Sequence, residues 1–364
     1  MPTRRQFTTT MALAAALPAA LQANQTGVAA SNSISTHDSP LHNSLNKQGK
    51  HMNIVRCVYE EEVRWGLLDG DRIRFLDARY ATTGELVDAF RNGDLKEGDT
   101  SVDAAAVRLL SPVTTNQQFI CQGANYRQHM IESGMDPDAK QYNMIFTKAS
   151  SCLAPADTDV IKPQRVRFLD YEIELGLVLR KDITAATTVT EATLHEYVAG
   201  LVIVNDYSAR DIQIPEMQFY KGKSFRTFGP VGPYLRLLNP DEMHYLNALQ
   251  LTLKVNGDVR QQDSTANLVF KPAETLTELS GVQDMYAGDL LSTGTPAGCA
   301  LSIPSPLMQK LGALLPEAKK WQVFMKVQAD RPQYLKPGDR VEATIRSADG
   351  VVDLGRQYNR IVSG

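Results

Sequence analysis

Short apolar runs rich in β-branched residues limit what this chain can fold into more than any other feature of its sequence. Such runs are typical of β-strands, and they occur at residues 173–179, 200–204, 249–255 and 341–345. Proline- and glycine-rich turns separate them, notably at 229–233 and 336–339. Within this part of the chain, helices are predicted at 189–198, after a capping Thr188, and at 306–321. Because strands and helices do not alternate strictly, the pattern argues against a doubly wound parallel sheet and predicts a mostly β, α+β fold.

A smaller set of strand signals precedes these runs. Residues 54–58, 63–67 and 72–76 are strand-like, and Asp69-Gly70 between the last two is a hairpin signal. A helix is predicted at 83–91. The sequence therefore predicts a small N-terminal α+β domain at residues 52–112, followed by a catalytic domain at residues 113–364.

Residues 1–23 have the pattern of an export signal. Arg4-Arg5 precede an alanine-rich apolar stretch at residues 11–23, which is too short to span a membrane. The paired arginines indicate the twin-arginine route and hence a periplasmic protein. Residues 24–51 are rich in Asn, Ser, His and Gln with almost no apolar periodicity, so we expect a disordered linker there. The alternative is a cytoplasmic protein that starts at Met52.

Composition and charge argue against several classes of function. The chain has 364 residues and a formal net charge of −3 at pH 7, so it lacks the basic surface that binding to nucleic acid needs. No apolar run approaches the ~20 residues of a transmembrane helix, so no stable membrane anchor is expected. The cysteines have no CxxC or CxxxC spacing, so we expect buried thiols rather than a zinc site at Cys57, Cys121, Cys152 and Cys299.

The segment at residues 168–179 alternates with period two and places Asp170, Glu172 and Glu174 on one face of a strand. Neighbours on this face are roughly 6.6 Å apart, and carboxylates so placed repel one another unless solvent or a cation intervenes. A second apolar run ends in Asp206. Carboxylate oxygens of this kind suit Mg²⁺, Mn²⁺ or Ca²⁺, and a water-exposed strand face is the alternative interpretation. Periodicity alone leaves Asp170 and the two glutamates as equal candidates.

Six motifs, taken in order, resemble the fumarylacetoacetate hydrolase family. They are GANYRQHMIE, DYEIEL, NDYSARDIQ, KGKSF, GTPAG and KPGD, at residues 123–132, 170–175, 205–213, 221–225, 294–298 and 336–339. Each motif is moderately specific, and their shared order carries the resemblance over about residues 115–360. The resemblance implies a catalytic domain with a rolled, mixed β-sandwich or β-roll fold, a small N-terminal domain and a homodimer.

The resemblance also implies roles for individual residues. One divalent cation, Mg²⁺ or Mn²⁺ with Ca²⁺ as an alternative, would be held by Glu172, Glu174 and Asp206, which leaves Asp170 as a supporting acid. The implied catalytic residues are His129 and Glu132, on a mobile lid, and Lys223. The implied substrate-binding residues are Arg210, Gln213 and Thr295. Without the motifs, His129 would be interpreted as a surface histidine, Arg210 as the partner of a neighbouring acid, and Lys223 as a solvated lysine.

The resemblance implies cleavage of a C–C bond in an acylpyruvate or related 1,3-dicarbonyl 2-oxo acid, by hydrolysis through a metal-stabilised enolate. Two alternatives in the same family are decarboxylation of a 2-oxo diacid and isomerisation of a 2-hydroxy-dienoate. An alternative of another class is a non-catalytic protein that binds 2-oxo acids or diketones through a metal. The chain departs from the family at Arg226, where an acidic residue is common, and in its long segment 299–335. Both departures bear on substrate choice rather than on the metal site.

Overall fold

β-Strands dominate the computed structural model, which describes residues 52–302 and 314–364 of the chain. The predicted export signal and linker lie outside the described residues. The described residues belong to one unit that spans His42–Gly364. None of the described helices is both long and apolar enough to cross a membrane.

The strands are β1 Met52–Tyr59, β2 Glu62–Asp69, β3 Arg72–Leu76, β4 Glu97–Asp103, β5 Arg108–Leu110, β6 Phe119–Gly123, β7 Met144–Lys148, β8 Leu153–Ala154, β9 Asp157–Lys162, β10 Leu169–Asp170, β11 Ile173–Leu179, β12 Val198–Asn205, β13 Ser208–Ala209, β14 Gly229–Pro230, β15 Leu235–Leu237, β16 Leu249–Val255, β17 Asp258–Ser264, β18 Leu290–Ser292, β19 Arg340–Ser347 and β20 Asp353–Ser363. The α-helices are α1 Thr83–Asn92, α2 Arg127–Glu132, α3 Arg210–Glu216, α4 Phe219–Lys223, α5 Pro272–Ser280 and α6 Glu317–Ala329. Short 3-10 helices occur at Ala104–Ala106, Ser150–Cys152, Leu194–Glu196, Pro240–Asn247 and Thr265–Asn267.

Two large mixed sheets form the framework of the fold. An 11-stranded sheet has the order β4-β3-β2-β1-β15-β12-β11-β18-β6-β7, with β5 paired to β1. A five-stranded sheet has the order β17-β16-β19-β20-β9. Leu175 and Leu201 of the first sheet pack in one hydrophobic cluster with Leu251 and Ala343 of the second. The predicted mostly β, α+β class is therefore confirmed, and the core lies between the two sheets.

The N-terminal strands continue the larger sheet. Strand β1 pairs with β2 on one side and with β15 and β5 on the other, all in antiparallel register. Trp65 and Leu86 belong to the same buried cluster as Val178 and Val202 of the central strands. The domain boundary near residue 112 stays a prediction. In the structure, β1 before this position and β15 after it are hydrogen-bonded to each other.

The central strands β11 and β12 are buried along their whole length. Close packing explains a glycine in each of them. A Cβ atom at Gly176 would lie 2.6 Å from a methyl group of Val202, and one at Gly200 would lie 2.4 Å from the carbonyl oxygen of Arg236. Glu174 in β11 and Glu172 just before it are buried as well, at 1% and 4% exposure, so the interpretation of a water-exposed strand face is wrong.

Local signals were sufficient for some elements and failed for others. The predicted helix at 83–91 is confirmed as α1, capped by the Thr82 side chain, which accepts a hydrogen bond from the backbone N–H of Glu85. The helix predicted at 189–198 is wrong, because that segment holds only the 3-10 turn Leu194–Glu196 before β12 begins. Of the helix predicted at 306–321, residues 306–313 lie outside the described residues. In the described part, α6 begins after Pro316 and continues to Ala329, beyond the predicted end.

Candidate active site

Antiparallel pairing of two buried strands brings three carboxylates together. Ile173 at the start of β11 pairs with Asn205 at the end of β12, so the residues beside these positions are neighbours. The backbone N–H of Asp206 donates to the carbonyl oxygen of Glu172 over 2.8 Å. As a result, one ligand atom from each of Glu172, Glu174 and Asp206 lies within 4.8 Å of the others.

Two buried lysines neutralise part of this cluster. The Lys223 ammonium, at the end of α4, donates to Glu172 Oε2 at 2.5 Å, to Asp206 Oδ2 at 2.6 Å and to Ser208 Oγ at 2.8 Å. Lys148, at the end of β7, donates to Asp206 Oδ1 at 2.5 Å and to the carbonyl oxygen of Phe228. Burial alone would lower the pKa of Lys223, but Asp206 and Glu172 outweigh it and raise the pKa, so this ammonium stays charged.

The two glutamates carry different charge states. Burial, followed by the nearby Asp206 and Glu172, raises the pKa of Glu174 to about 8. Burial would also raise the pKa of Glu172, but Arg210 and Lys223 outweigh it and hold that pKa well below its usual range. Glu174 Oε2 accepts hydrogen bonds from Ser292 Oγ at 2.5 Å and from the backbone N–H of Gly294 at 3.1 Å. Glu174 is therefore a buried acid that ionises readily only when further positive charge arrives.

This cluster fits a divalent cation of the Mg²⁺ or Mn²⁺ class. The donors are carboxylate oxygens, which such hard cations prefer, and they converge within one coordination sphere. Burial, and after it the neighbouring Asp206 and Glu172, raises the pKa of Glu174, so the site disfavours a third negative charge. A cation held by Glu172, Glu174 and Asp206 would stabilise that charge.

We expect Mn²⁺ binding to weaken as the pH falls from about 8 to 6. The folded-state pKa of Glu174 is raised from 4.5 to about 8, so in this range the metal-free site holds a proton that the cation must displace. The affinity should fall by up to about tenfold per pH unit below the pKa. Calorimetric titration of Mn²⁺ at several pH values measures this slope, and an affinity independent of pH would contradict the proton on Glu174.

Asp170 lies next to the cluster without joining it. Its carboxylate, which is fully buried, accepts from Arg210 Nε at 2.8 Å and from the backbone N–H groups of Ala300 and Leu301 at 2.7 and 3.0 Å. These bonds connect β10 to the segment that follows the GTPAG motif. In the structure Asp170 therefore fixes Arg210 and the cavity wall.

Replacing Asp170 by asparagine should destabilise the protein by about 3 kcal/mol, because it removes one of the two carboxylates that pair with the buried Arg210 guanidinium and leaves Glu172 as the other. Urea unfolding of the two proteins measures the change in the free energy of unfolding. Asp159→Asn is the matched control, since Asp159 pairs with Arg360 on the surface and should contribute less than about 1 kcal/mol. Equal effects of the two substitutions would show that burial of the Asp170 pair has no energetic consequence.

A cavity of about 650 Å³ opens above the carboxylates. Its walls include every site residue predicted from the sequence except Asp206, namely His129, Glu132, Glu172, Glu174, Arg210, Gln213, Lys223 and Thr295. Asp206 is fully buried behind this wall. The cavity is large enough for a small organic acid.

His129 and Glu132 lie on α2 at the cavity wall. Burial lowers the pKa of His129 and outweighs the opposing effect of Glu172, so the ring is neutral at pH 7 and can accept a proton. Glu132 is exposed, and its carboxylate accepts a hydrogen bond from Gln128 over 3.4 Å rather than from the His129 ring. Orientation of His129 by Glu132 stays a prediction.

The predicted substrate-binding residues are already engaged within the protein. Arg210, on α3, donates to Asp170, Glu172 and the Gln213 side chain. The Thr295 hydroxyl donates to the carbonyl oxygen of Ile173 and accepts from Gln261, both at 2.9 Å. Their contact with a substrate stays a prediction, and their internal bonds show that they also hold the cavity wall in place.

Sequence reasoning missed Lys148, Ser208 and Cys299. Lys148 follows the apolar pair Ile145-Phe146 at the end of β7, and a lysine that ends an apolar strand was an available signal. Cys299 follows the GTPAG motif directly and lines the cavity with its thiol, although it was expected to be an ordinary buried cysteine. Of the two family departures, segment 299–335 supplies Leu301, Ser302 and Arg331 to the cavity wall, whereas Arg226 is exposed elsewhere.

Comparison with known proteins agrees with this architecture. Residues 118–362 match the family model described as "Fumarylacetoacetate (FAA) hydrolase C-terminal", and residues 52–112 match "Rv2993c-like, N-terminal". Oxaloacetate tautomerase YisK of Bacillus subtilis is 33% identical over 218 residues, which are 59% of this chain and 70% of that protein.

Solved structures share the fold. The fumarylacetoacetate hydrolase from Exiguobacterium antarcticum superposes with a TM-score of 0.64 at 25% identity, over 86% of this chain and 100% of that one. Maleylpyruvate hydrolase from Sphingobium sp. SYK-6, solved with a manganese(II) ion and pyruvate, gives a TM-score of 0.62 at 22% identity over the same shares. Because the family model covers residues 118–362, including the three converging carboxylates and the cavity above them, this chain belongs to the fumarylacetoacetate hydrolase family.

Proposed function

We propose that this protein is a divalent-cation-dependent hydrolase that cleaves a C–C bond in an acylpyruvate-like 1,3-dicarbonyl 2-oxo acid. The observation that carries the proposal is the convergence of Glu172, Glu174 and Asp206 at the base of a cavity whose wall holds a neutral His129. Mg²⁺ or Mn²⁺ bound there would act as a Lewis acid toward the 2-oxo carboxylate of the substrate. Similarity to a protein solved with manganese(II) and pyruvate supports this choice of ligands.

His129 supplies the general base. Its neutral ring accepts a proton from a water molecule at a free ring nitrogen, and the resulting hydroxide attacks the carbonyl carbon distal to the carboxylate. The C–C bond then breaks, and its electron pair passes to the 2-oxo acid fragment as an enolate. His129 then gives its proton to the enolate carbon that was formerly bonded to the acyl group. The products are a carboxylic acid and a 2-oxo acid.

The cavity provides separate surroundings for the two ends of such a substrate. The positive charge of Lys223, fixed by its three hydrogen bonds, lies beside the carboxylates and favours the developing enolate. Phe146 and Phe219 form an edge-to-face pair with ring centroids 5.1 Å apart and both line the cavity. Their apolar surface suits the acyl group, and its burial excludes water from that end of the cavity.

A second candidate is tautomerisation of a 2-oxo diacid, which uses the same base without a hydrolytic water. The 33% identity to oxaloacetate tautomerase YisK favours it. Arg331 also lines the cavity. Its Nε donates to the carbonyl oxygen of Ala300, and its guanidinium makes no ion pair with any residue in 52–302 or 314–364, so it can receive a second carboxylate. Decarboxylation of a 2-oxo diacid and isomerisation of a 2-hydroxy-dienoate are related reactions to be tested alongside.

The test uses acetopyruvate and oxaloacetate as probes with the Mn²⁺-loaded protein in ¹⁸O-labelled water. Hydrolysis places the label in released acetate, whereas tautomerisation changes the enol absorbance of oxaloacetate and releases no acid. Labelled acetate supports the lead proposal, and loss of the oxaloacetate enol without cleavage of acetopyruvate supports the second candidate. Calorimetric binding of both probes without any turnover would overturn both in favour of a metal-dependent 2-oxo-acid-binding protein.

We also propose that the protein is a homodimer exported to the periplasm by a twin-arginine signal in residues 1–23. The expected small-molecule partner is a 2-oxo acid or diketone. Light scattering measures the mass in solution, and cell fractionation with N-terminal sequencing separates export from a cytoplasmic protein started at Met52. A monomer in solution would contradict the homodimer. A cytoplasmic product that retains residues 1–23 would contradict export.

A further inference from the structure

A second group of metal-binding atoms lies beside the all-oxygen cluster. One ligand atom each from His129, Glu172 and Cys299 lies within 4.8 Å of the others. The Cys299 thiol lies 3.8 Å from Glu172 Oε1 and is partly open to the cavity. The three residues are far apart in the sequence, and the predicted catalytic function uses only two of them.

The two oxygens of Glu172 face different neighbours. Oε2 accepts from Lys223 at 2.5 Å and faces the side of Asp206, which Lys223 also contacts. Oε1 faces Cys299 and accepts a hydrogen bond from Arg210. Glu172 can therefore contribute one oxygen to each ligand group, and the two groups can hold cations of different kinds.

The backbone fixes the position of the thiol. Gly298, just before it, has a φ of +102°, and a Cβ atom there would lie 2.1 Å from the carbonyl oxygen of Arg260. The next two residues along the chain, Ala300 and Leu301, donate their backbone N–H groups to Asp170. A thiol held between two such constraints is preorganised toward Glu172 and His129.

The chemistry of the two groups differs in a way that selects cations. Carboxylates alone favour Mg²⁺ and Mn²⁺, whereas a set with an imidazole nitrogen and a thiolate sulfur favours Zn²⁺ and Co²⁺. We propose that His129, Cys299 and Glu172 form a separate site for thiophilic divalent cations, and that its occupation inhibits the enzyme by withdrawing His129 from proton transfer. Inhibition rests on the proposed function, whereas binding does not.

The binding step balances without any redox partner. Cys299 releases its thiol proton to solvent as the sulfur–metal bond forms, and neutral His129 supplies a nitrogen lone pair. Glu172 Oε1 supplies its second lone pair and keeps the hydrogen bond from Arg210. The charge of Arg210 is balanced by its ion pair with Asp170 at 2.8 Å, and a water molecule completes a tetrahedral shell.

Cobalt absorption tests the site directly, because a thiolate bound to Co²⁺ gives a charge-transfer band in the near ultraviolet that oxygen and nitrogen ligands do not give. We expect the band on titration of the full-length metal-free protein with Co²⁺. It should be absent in Cys299→Ser and retained in Cys57→Ala, whose thiol is buried in a cluster formed by N-terminal strands and Tyr234. Cys299→Val replaces the serine variant if that variant does not fold. No band in the wild-type protein, or an equal band in the Cys299 variants, would overturn the proposal.

Zinc inhibition tests the consequence. In the Mn²⁺-loaded enzyme, the Zn²⁺ concentration that halves each protein's own uninhibited rate should rise by about tenfold or more in Cys299→Ser. If this Zn²⁺ concentration is the same in both proteins and the wild type shows the cobalt band, the site exists but its inhibitory role is overturned. If acetopyruvate and oxaloacetate are not turned over at all, the cobalt titration still decides whether the site exists, so failure of the proposed function and failure of this site are distinguishable.

Discussion

Replacing His129 by alanine is expected to lower kcat on the acylpyruvate probe by roughly 10²–10⁴-fold, which is the usual contribution of a positioned general base. The physical reason is that burial lowers the pKa of this ring, so His129 is neutral at pH 7 and can take the proton that water must lose. Mn²⁺ affinity should change little, because the all-oxygen cluster does not include the imidazole. Steady-state kinetics and elemental analysis of the same preparation measure the two quantities.

His244→Ala is the matched control for this experiment. His244 is an exposed histidine on the 3-10 helix Pro240–Asn247, where its ring contacts the carbonyl oxygen of Asp241 outside the cavity. Its substitution should leave both kcat and metal content unchanged. Wild-type turnover in the His129 variant would remove this residue from the mechanism, and loss of metal with loss of turnover would make it a ligand of the catalytic cation instead.

Replacing Glu174 by glutamine should weaken Mn²⁺ binding more than about 100-fold, beyond the loss typical of residues that only orient a ligand. The metal-free protein should keep its stability at neutral pH. Since the pKa of Glu174 is raised to about 8, the wild-type side chain is already a neutral acid at pH 7, and an amide resembles it in shape and charge. Calorimetric titration of Mn²⁺ and thermal unfolding without metal separate the two effects.

The pH dependence of metal-free stability gives an independent readout for the same substitution. A carboxyl whose pKa is raised from 4.5 to about 8 in the folded state holds a proton that the unfolded chain has lost between these values. Its contribution to stability therefore falls as the pH rises from about 4.5 to 8, and this fall should be absent in Glu174→Gln. Glu342→Gln, which alters a largely exposed pair with Arg356, is the control. Full Mn²⁺ binding by Glu174→Gln would contradict its role as a ligand.

Strand positions could be predicted well because they depend on local alternation and turn residues. Residues 173–179 and 249–255 coincide with β11 and β16, and the Asp69-Gly70 signal lies at a turn in which Asp69 pairs with Arg72. The helix predicted at 189–198 failed because the run that begins at Val198 is paired in the central sheet. Strand pairing depends on contacts between residues that are distant in the sequence. Local patterns therefore could not predict that Val198 belongs to the central sheet or that the sheet continues into β1.

The candidate site was predictable to the extent that its residues belong to recognisable motifs. The motifs named Glu172, Glu174, Asp206, His129 and Lys223, and the structure brings these residues to one cavity and its base. Lys148 and Cys299 carried no such motif. Their roles depend on the fold, which buries the Lys148 ammonium 2.5 Å from Asp206 Oδ1 and places the Cys299 thiol beside Glu172.

The sequence by itself determined the mostly β class, the family and the identity of the acids, because periodicity and motif order are written along the chain. Only the tertiary structure decided how those acids differ. Glu172 is ionised beside Arg210 and Lys223, Glu174 holds a proton, and Asp170 anchors the cavity wall. The cysteine spacing gave no sign of a zinc site, yet folding places Cys299 within reach of His129 and Glu172. The charge state of a side chain and the geometry of a ligand set depend on burial and on neighbours that are distant in the sequence. A sequence pattern contains no information about either burial or such neighbours.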